Sequence, residues 1–124
     1  MQDMQIEKSD IVVVIPTYKE ELSDFEKISF KQICSILKDY DRVFICPESL
    51  VIKYATDDTV SRIERFEDVY FADVSGYNTL MLSEKFYERF RDYTYILIAQ
   101  LDAFIFEDSL LYFANLGYDY IGAP

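Results

Sequence analysis

Apolar residues run unbroken at 11–15, "IVVVI", and Pro16 closes the run. A β-branched stretch without polar alternation predicts a strand buried on both faces, as in a parallel sheet. The period then changes. Ser23 and Glu26 stand at capping-box spacing, so a helix is expected from about Asp24. Phe25, Ile28, Ile33, Ile36 and Leu37 supply its apolar face, and Glu26, Lys27, Lys31 and Lys38 the opposite one. A second strand is expected at 42–46, "RVFIC", closed by Pro47. Strand, helix and strand in so short a span make a βαβ unit.

The next stretch, 48–66, has mixed periodicity and an acidic pair, Asp57–Asp58, and reads as short helices or loop. A third strand is expected at 68–74, "DVYFADV". A helix follows from residue 75, with Leu82, Phe86 and Phe90 four apart and Ser83 placed to cap its second half. The apolar run "YILIA" at 95–99 predicts a fourth strand, and "FIF" at 104–106 a short further one. Residues 108–116 read as a short helix, with Asp108 as N-cap and Gly117 as its stop. The chain closes on the strand-like "YIGAP". Alternating helices and all-apolar strands predict one α/β domain over residues 1–124, with a mostly parallel sheet flanked by helices.

Composition narrows the function. The chain has 124 residues, 51% of them hydrophobic, with 11 Tyr and 10 Phe, enough for a real core and against disorder. No apolar run reaches the ~18 residues of a membrane span, and the N-terminus lacks a signal pattern, so a cytoplasmic protein is expected. The net charge of −11 disfavours nucleic-acid and anionic membrane partners. With no histidine there is no Ser-His-Asp triad, Cys-His pair or His-based zinc site. Cys34 and Cys46 read as buried free thiols.

In open parallel sheets, ligands bind beyond the carboxyl ends of the strands. Pro16–Lys19 and Pro47–Ser49 are therefore candidate ligand loops. Thr17 and Tyr18 could contact a base, or be ordinary loop residues. Asp73, Ser75 and Asn78, expected to end the third strand, could line the same cleft, or cap turns and helices. Gln100 and Asp102 end the fourth strand and share a face. A carboxylate there suits a metal ion, or else caps a turn or pairs with Lys or Arg. Only three glycines are present, Gly76, Gly117 and Gly122, and no Gly-rich phosphate loop follows the first strand. A diphosphate would need a divalent cation instead.

Two stretches carry a family resemblance. "VVVIPTYKE" at 12–20 resembles the opening strand and nucleotide loop of GT-A glycosyltransferases. Residues 75–124, with "LDAF" and "GYDYIGAP", are similar to a little-characterised family of glycosyltransferase-like domains. The resemblance implies a GT-A-like, Rossmann-like fold that binds a nucleoside-diphosphate sugar with Mn2+ or Mg2+ and transfers the sugar to an acceptor hydroxyl. Asp102 matches the metal-binding Asp of the Asp-x-Asp pattern, and Gln100 replaces its first Asp. Thr17 and Tyr18 match the base-contacting loop. The candidate donor-binding set is Pro16, Thr17, Tyr18, Asn78 and Gln100, with Asp102 as metal ligand and no catalytic residue assigned. A GT-A domain continues into an acceptor-binding half, so the chain is expected to be the N-terminal, donor-binding part of a longer domain, open to homo-oligomer formation. The alternative is a non-catalytic or degenerate α/β binding module. An acidic mimic of nucleic acid fits less well, because the carboxylates are scattered.

Overall fold

The structure, a computed structural model, describes residues 7–54, 59–101 and 121–122. A 3-10 turn, Lys8–Asp10, leads into β1 (Ile11–Pro16), α1 (Asp24–Ile36) and β2 (Asp41–Pro47). Then come β3 (Arg62–Phe66), a 3-10 turn Asp68–Phe71, α2 (Val74–Met81), α3 (Glu84–Glu88), β4 (Tyr95–Ile98) and β5 (Ile121–Gly122). Among the described residues, the strands form one sheet in the order β3-β2-β1-β4-β5. Every pairing is parallel, with Val14 opposite Val43, Val12 opposite Ile96 and Leu97 opposite Ile121. The expected α/β architecture is the one observed. Among the described residues, no helix is long and apolar enough to cross a membrane.

The β-branched run of β1 is buried because both faces of the sheet are covered. Ile11, Val13 and Ile15 point to one face and pack with Phe30, Ile33 and Leu37 of α1 and with Phe44. Val12 and Val14 point to the other and pack with Leu80, Phe86 and Phe90 from α2, α3 and the residues after it. Each fully buried large side chain contributes about 1.5–3 kcal/mol to this assembly.

Three expectations are corrected. On α1, Phe25 and Ile28 are 44% and 57% exposed, whereas Phe30, outside the expected face, is buried. At 3.6 residues per turn Ile28 lies roughly 140° around the helix from Ile33, so the stripe that meets the sheet is Phe30, Ile33 and Leu37. The third strand is Arg62–Phe66, not 68–74. It sits at the sheet edge, where charged residues protect an unpaired strand, so "RIERF" carries no apolar run. The "VYF" of 69–71 forms a 3-10 turn instead, and Tyr70 and Phe71 lean on the core beneath α2. The long helix from residue 75 is two helices. Leu82 caps the end of α2 and is 86% exposed, so its spacing to Phe86 crosses a break. Ser83 caps α3 as expected, its hydroxyl accepting from the Phe86 amide at 3.3 Å.

Arg42 fastens one end of the domain. Its guanidinium donates to the carbonyls of Leu37 (2.8 Å) and Tyr40 (3.0 Å) just past α1, and to Thr59 (2.8 Å) before β3. A cation here also complements the negative end of the α1 dipole.

Candidate functional site

The strand order reverses between β1 and β4. The chain leaves β1 through α1 toward β2 and β3, then crosses back through α2 and α3 to β4 on the other side. Connections on opposite faces leave a crevice beyond the carboxyl ends of the two central strands. A cleft of about 600 Å³ lies there. Pro16, Thr17, Tyr18 and Lys19 line it from the end of β1, and Gln100 and Leu101 from the end of β4. The first turns of α1 (Phe25, Glu26) and α2 (Val74, Tyr77), each with its N-cap, Ser23 and Asp73, supply the flanks.

The loop after β1 is held at several points. The Thr17 amide donates to Ile45 O at 2.9 Å and so extends the ladder one residue beyond the strand. Thr17 is buried, and its hydroxyl is bonded to the phenol of Tyr54. Tyr54 has a single phenolic proton, and the Lys19 carbonyl, 2.8 Å away, can only accept it. Thr17 is therefore the donor to Tyr54, and its oxygen faces any further partner as an acceptor. Burial raises the pKa of the Tyr54 phenol, which keeps that proton in place. Tyr18 is 62% exposed at the cleft, with the Lys19 ammonium 5.6 Å from its ring centroid.

Lys19 also joins the loop to α1, its ammonium 3.1 Å from Glu26 Oε1. That oxygen accepts from the Ser23 amide at 2.9 Å as well, which completes the capping box expected at 23–26. The Ser23 amide, then Lys19, hold the Glu26 carboxyl below its ordinary pKa, against the opposing effect of partial burial. Asp73 accepts from the Gly76 amide at 2.7 Å and caps α2. Among the described residues, one ammonium and two carboxylates thus line the cleft.

The structure brings Pro16, Thr17, Tyr18 and Gln100 to one cleft. Asp73 joins them as a helix cap and not as a strand end. Ser75 and Asn78 are exposed on α2 and outside the lining. The loop Pro47–Ser49 is also outside it, tied down by Arg65, which donates to Pro47 O (3.2 Å) and Leu50 O (2.6 Å). It ends β2, one strand away from the reversal. Asp102, Asp57–Asp58, the expected strand 104–106 and the helix 108–116 with Asp108 and Gly117 lie outside the described residues. Cys34 and Cys46 are free thiols, and burial raises both pKa values, so neither is an activated nucleophile. The sequence reading missed Tyr54, which sits in the stretch without periodicity. It missed Glu26 as a cleft residue, although the capping box together with the βαβ order places the start of α1 above the strand ends.

Residues 60–124, more than half of the chain, match the family DUF5672, described as a protein of unknown function, and the chain belongs to that family. No curated protein and no solved structure matches it.

Proposed function

We propose that this cleft receives a nucleoside-diphosphate sugar, and that the chain is the donor-binding part of a GT-A-like glycosyltransferase. The observation that carries the reading is the position of the cleft at the reversal of strand order, with the loop Pro16–Lys19 on β1 and Gln100 at the end of β4. Its volume lies within the ~300–1,000 Å³ usual for small-molecule sites. The exposed Tyr18 ring offers a face for a base, worth about 1–3 kcal/mol in comparable stacks. Thr17 offers an acceptor to a base or ribose proton. Gln100 orients the donor.

The charge on the cleft supports a cation as co-ligand. Lys19 is engaged by Glu26, and Asp73 adds a further negative charge, so a diphosphate meets no surplus of positive charge. Among the described residues no group of three or more carboxylates or thiols could cage a metal. Mg2+ and Mn2+ do not require such a cage, since they are commonly held by one or two carboxylates and completed by phosphate and water. Asp102, bonded to the lining residue Leu101, is the proposed carboxylate. When bound, the ion would neutralise the departing diphosphate. In the transfer, the bond from the sugar's anomeric carbon to the diphosphate oxygen breaks, a bond to the acceptor hydroxyl oxygen forms, and the hydroxyl proton passes to the diphosphate or to solvent.

The test is calorimetric titration with UDP and GDP, with and without Mn2+, on the wild type and on Asp102→Asn. Metal-dependent binding that Asp102→Asn abolishes is the expected outcome. A folded protein that binds neither nucleotide refutes the reading and favours a non-catalytic α/β module.

A further inference from the structure

We propose that Tyr54 is the positioning residue of the cleft: its phenol, bonded to Thr17 and to the Lys19 carbonyl, sets the conformation of the loop that presents Tyr18. The inference rests on the reading of the cleft as a nucleotide site for its ligand, but not for its structural content. Tyr54 lies 37 residues from Thr17 and 35 from Lys19 in the chain, and it reaches the cleft loop from the segment after β2. Its ring is fixed from behind, edge-on to Phe44 (centroids 5.8 Å apart, planes at 82°) and to Phe30 (6.3 Å, 73°). Phe30 and Phe44 belong to the core between α1 and the sheet. The ring is therefore anchored in the core while the hydroxyl holds the loop.

Between the two bonded residues stands Tyr18, exposed and free to meet a ligand. Holding both neighbours fixes the backbone on either side of it, and a loop ordered in advance loses less entropy on binding. Pro16 ends β1, and the Thr17 amide continues the ladder one residue further, so the Tyr54 phenol acts on the loop where it leaves the sheet. The segment that carries Tyr54 is itself tied to the edge strand by Arg65, through the Leu50 carbonyl at 2.6 Å.

Tyr54→Phe keeps the ring packing and removes both hydrogen bonds to the loop. Hydrogen exchange followed by mass spectrometry, on the whole chain, reads the loop without any ligand. Amides of residues 17–21 are expected to exchange about tenfold faster, from roughly 1 kcal/mol or more of lost hydrogen bonding, while β1 and β2 keep their protection. Titration with UDP or GDP in MnCl2 is expected to show a Kd about tenfold weaker. Unchanged exchange at 17–21, or a rise spread evenly over all peptides, overturns the proposal. Thr17→Val cuts the same link from the loop side and decides the matter where Tyr54→Phe does not fold. A wild type that binds neither nucleotide sinks the nucleotide reading alone, and the exchange pattern still decides the role of Tyr54.

Discussion

Gly76 stands in the first turn of α2, where the helix crosses the 3-10 turn Asp68–Phe71, and Gly76→Ala tests how tightly that junction is built. A Cβ at this position would lie 2.4 Å from the Val69 carbonyl oxygen and 3.2 Å from the Tyr70 Cα. Ordinary C···O contacts begin near ~3.3 Å, so backbone must move against backbone by almost an ångström. Both of these contacts are backbone, and the nearest side-chain atom, Asp73 Oδ1 at 3.3 Å, relieves neither by moving. Overpacking of this kind costs about 1–3 kcal/mol. Against it stands the better helix propensity of Ala, up to ~1 kcal/mol in a helix interior and less in a first turn. The balance is a loss of about 1.5 kcal/mol, or about 6 °C in Tm for a domain of this size. Thermal unfolding followed by circular dichroism, with urea unfolding as a second measure, reads it directly. A Gly76→Ala protein as stable as wild type, or more so, would refute the reasoning. The same displacement moves Asp73 and Val74, so cleft binding should weaken together with stability.

Arg42→Met keeps the buried stem and leaves the carbonyls of Leu37, Tyr40 and Thr59 without their guanidinium partner. At about 1 kcal/mol for each lost bond, the urea midpoint should fall by the equivalent of ~3 kcal/mol, and a loss under ~1 kcal/mol would contradict this account. Burial, and then the hydrogen bond it donates to Asp41, push the Tyr93 phenol from 10.0 up to about 12. The folded state therefore holds that proton more tightly than the unfolded chain. Its contribution is complete below pH 10 and is lost as pH climbs from 10 to 12. Tm should accordingly fall less steeply over that window in Tyr93→Phe than in wild type, and identical slopes would remove Tyr93 from the explanation.

The central strands were legible because burial on both faces leaves no choice of residue. "IVVVI" and "YILIA" are short apolar runs of strand length, and their ends point to a ligand edge by topology. Pro16, Thr17, Tyr18 and Gln100 followed from that logic. β3 was not legible, because an edge strand is selected for charge as much as for packing. Arg62 and Arg89 flank Glu64 at 2.9 and 2.8 Å, and Arg89 covers the Phe66 ring at 4.4 Å. Such a strand has the composition of a helix face. The break at Leu82 was hidden because a spacing of four is the same whether or not the helix continues. Tyr54 was hidden for a deeper reason. Its partners are distant in sequence, and no period links a side chain to a loop it meets only after folding.

These limits bear on what the cleft can hold. A strand buried on both faces carries a charge only where partners satisfy it, as Arg42 is satisfied near the start of β2, since an unpaired interior charge costs several kcal/mol. Among the described residues, the polar groups of the cleft therefore stand at the rim, at residues 16–19 and 100 and at the caps of α1 and α2. There the caps set the sign. Helix N-termini favour anions, but Glu26 and Asp73 already occupy those positions as capping carboxylates. Lys19 neutralises one of them. The remaining negative charge, on the exposed Asp73, would repel a phosphate brought to about 5 Å by at most ~3 kcal/mol at an effective dielectric of 20, and by less with solvent screening. That upper bound is as large as the ~1–3 kcal/mol a stacked base on Tyr18 supplies. On the proposed reading, stacking alone does not hold a nucleoside diphosphate in this cleft. On that reading a cation would turn the balance, and the response to Mn2+ is the measurement that tests it.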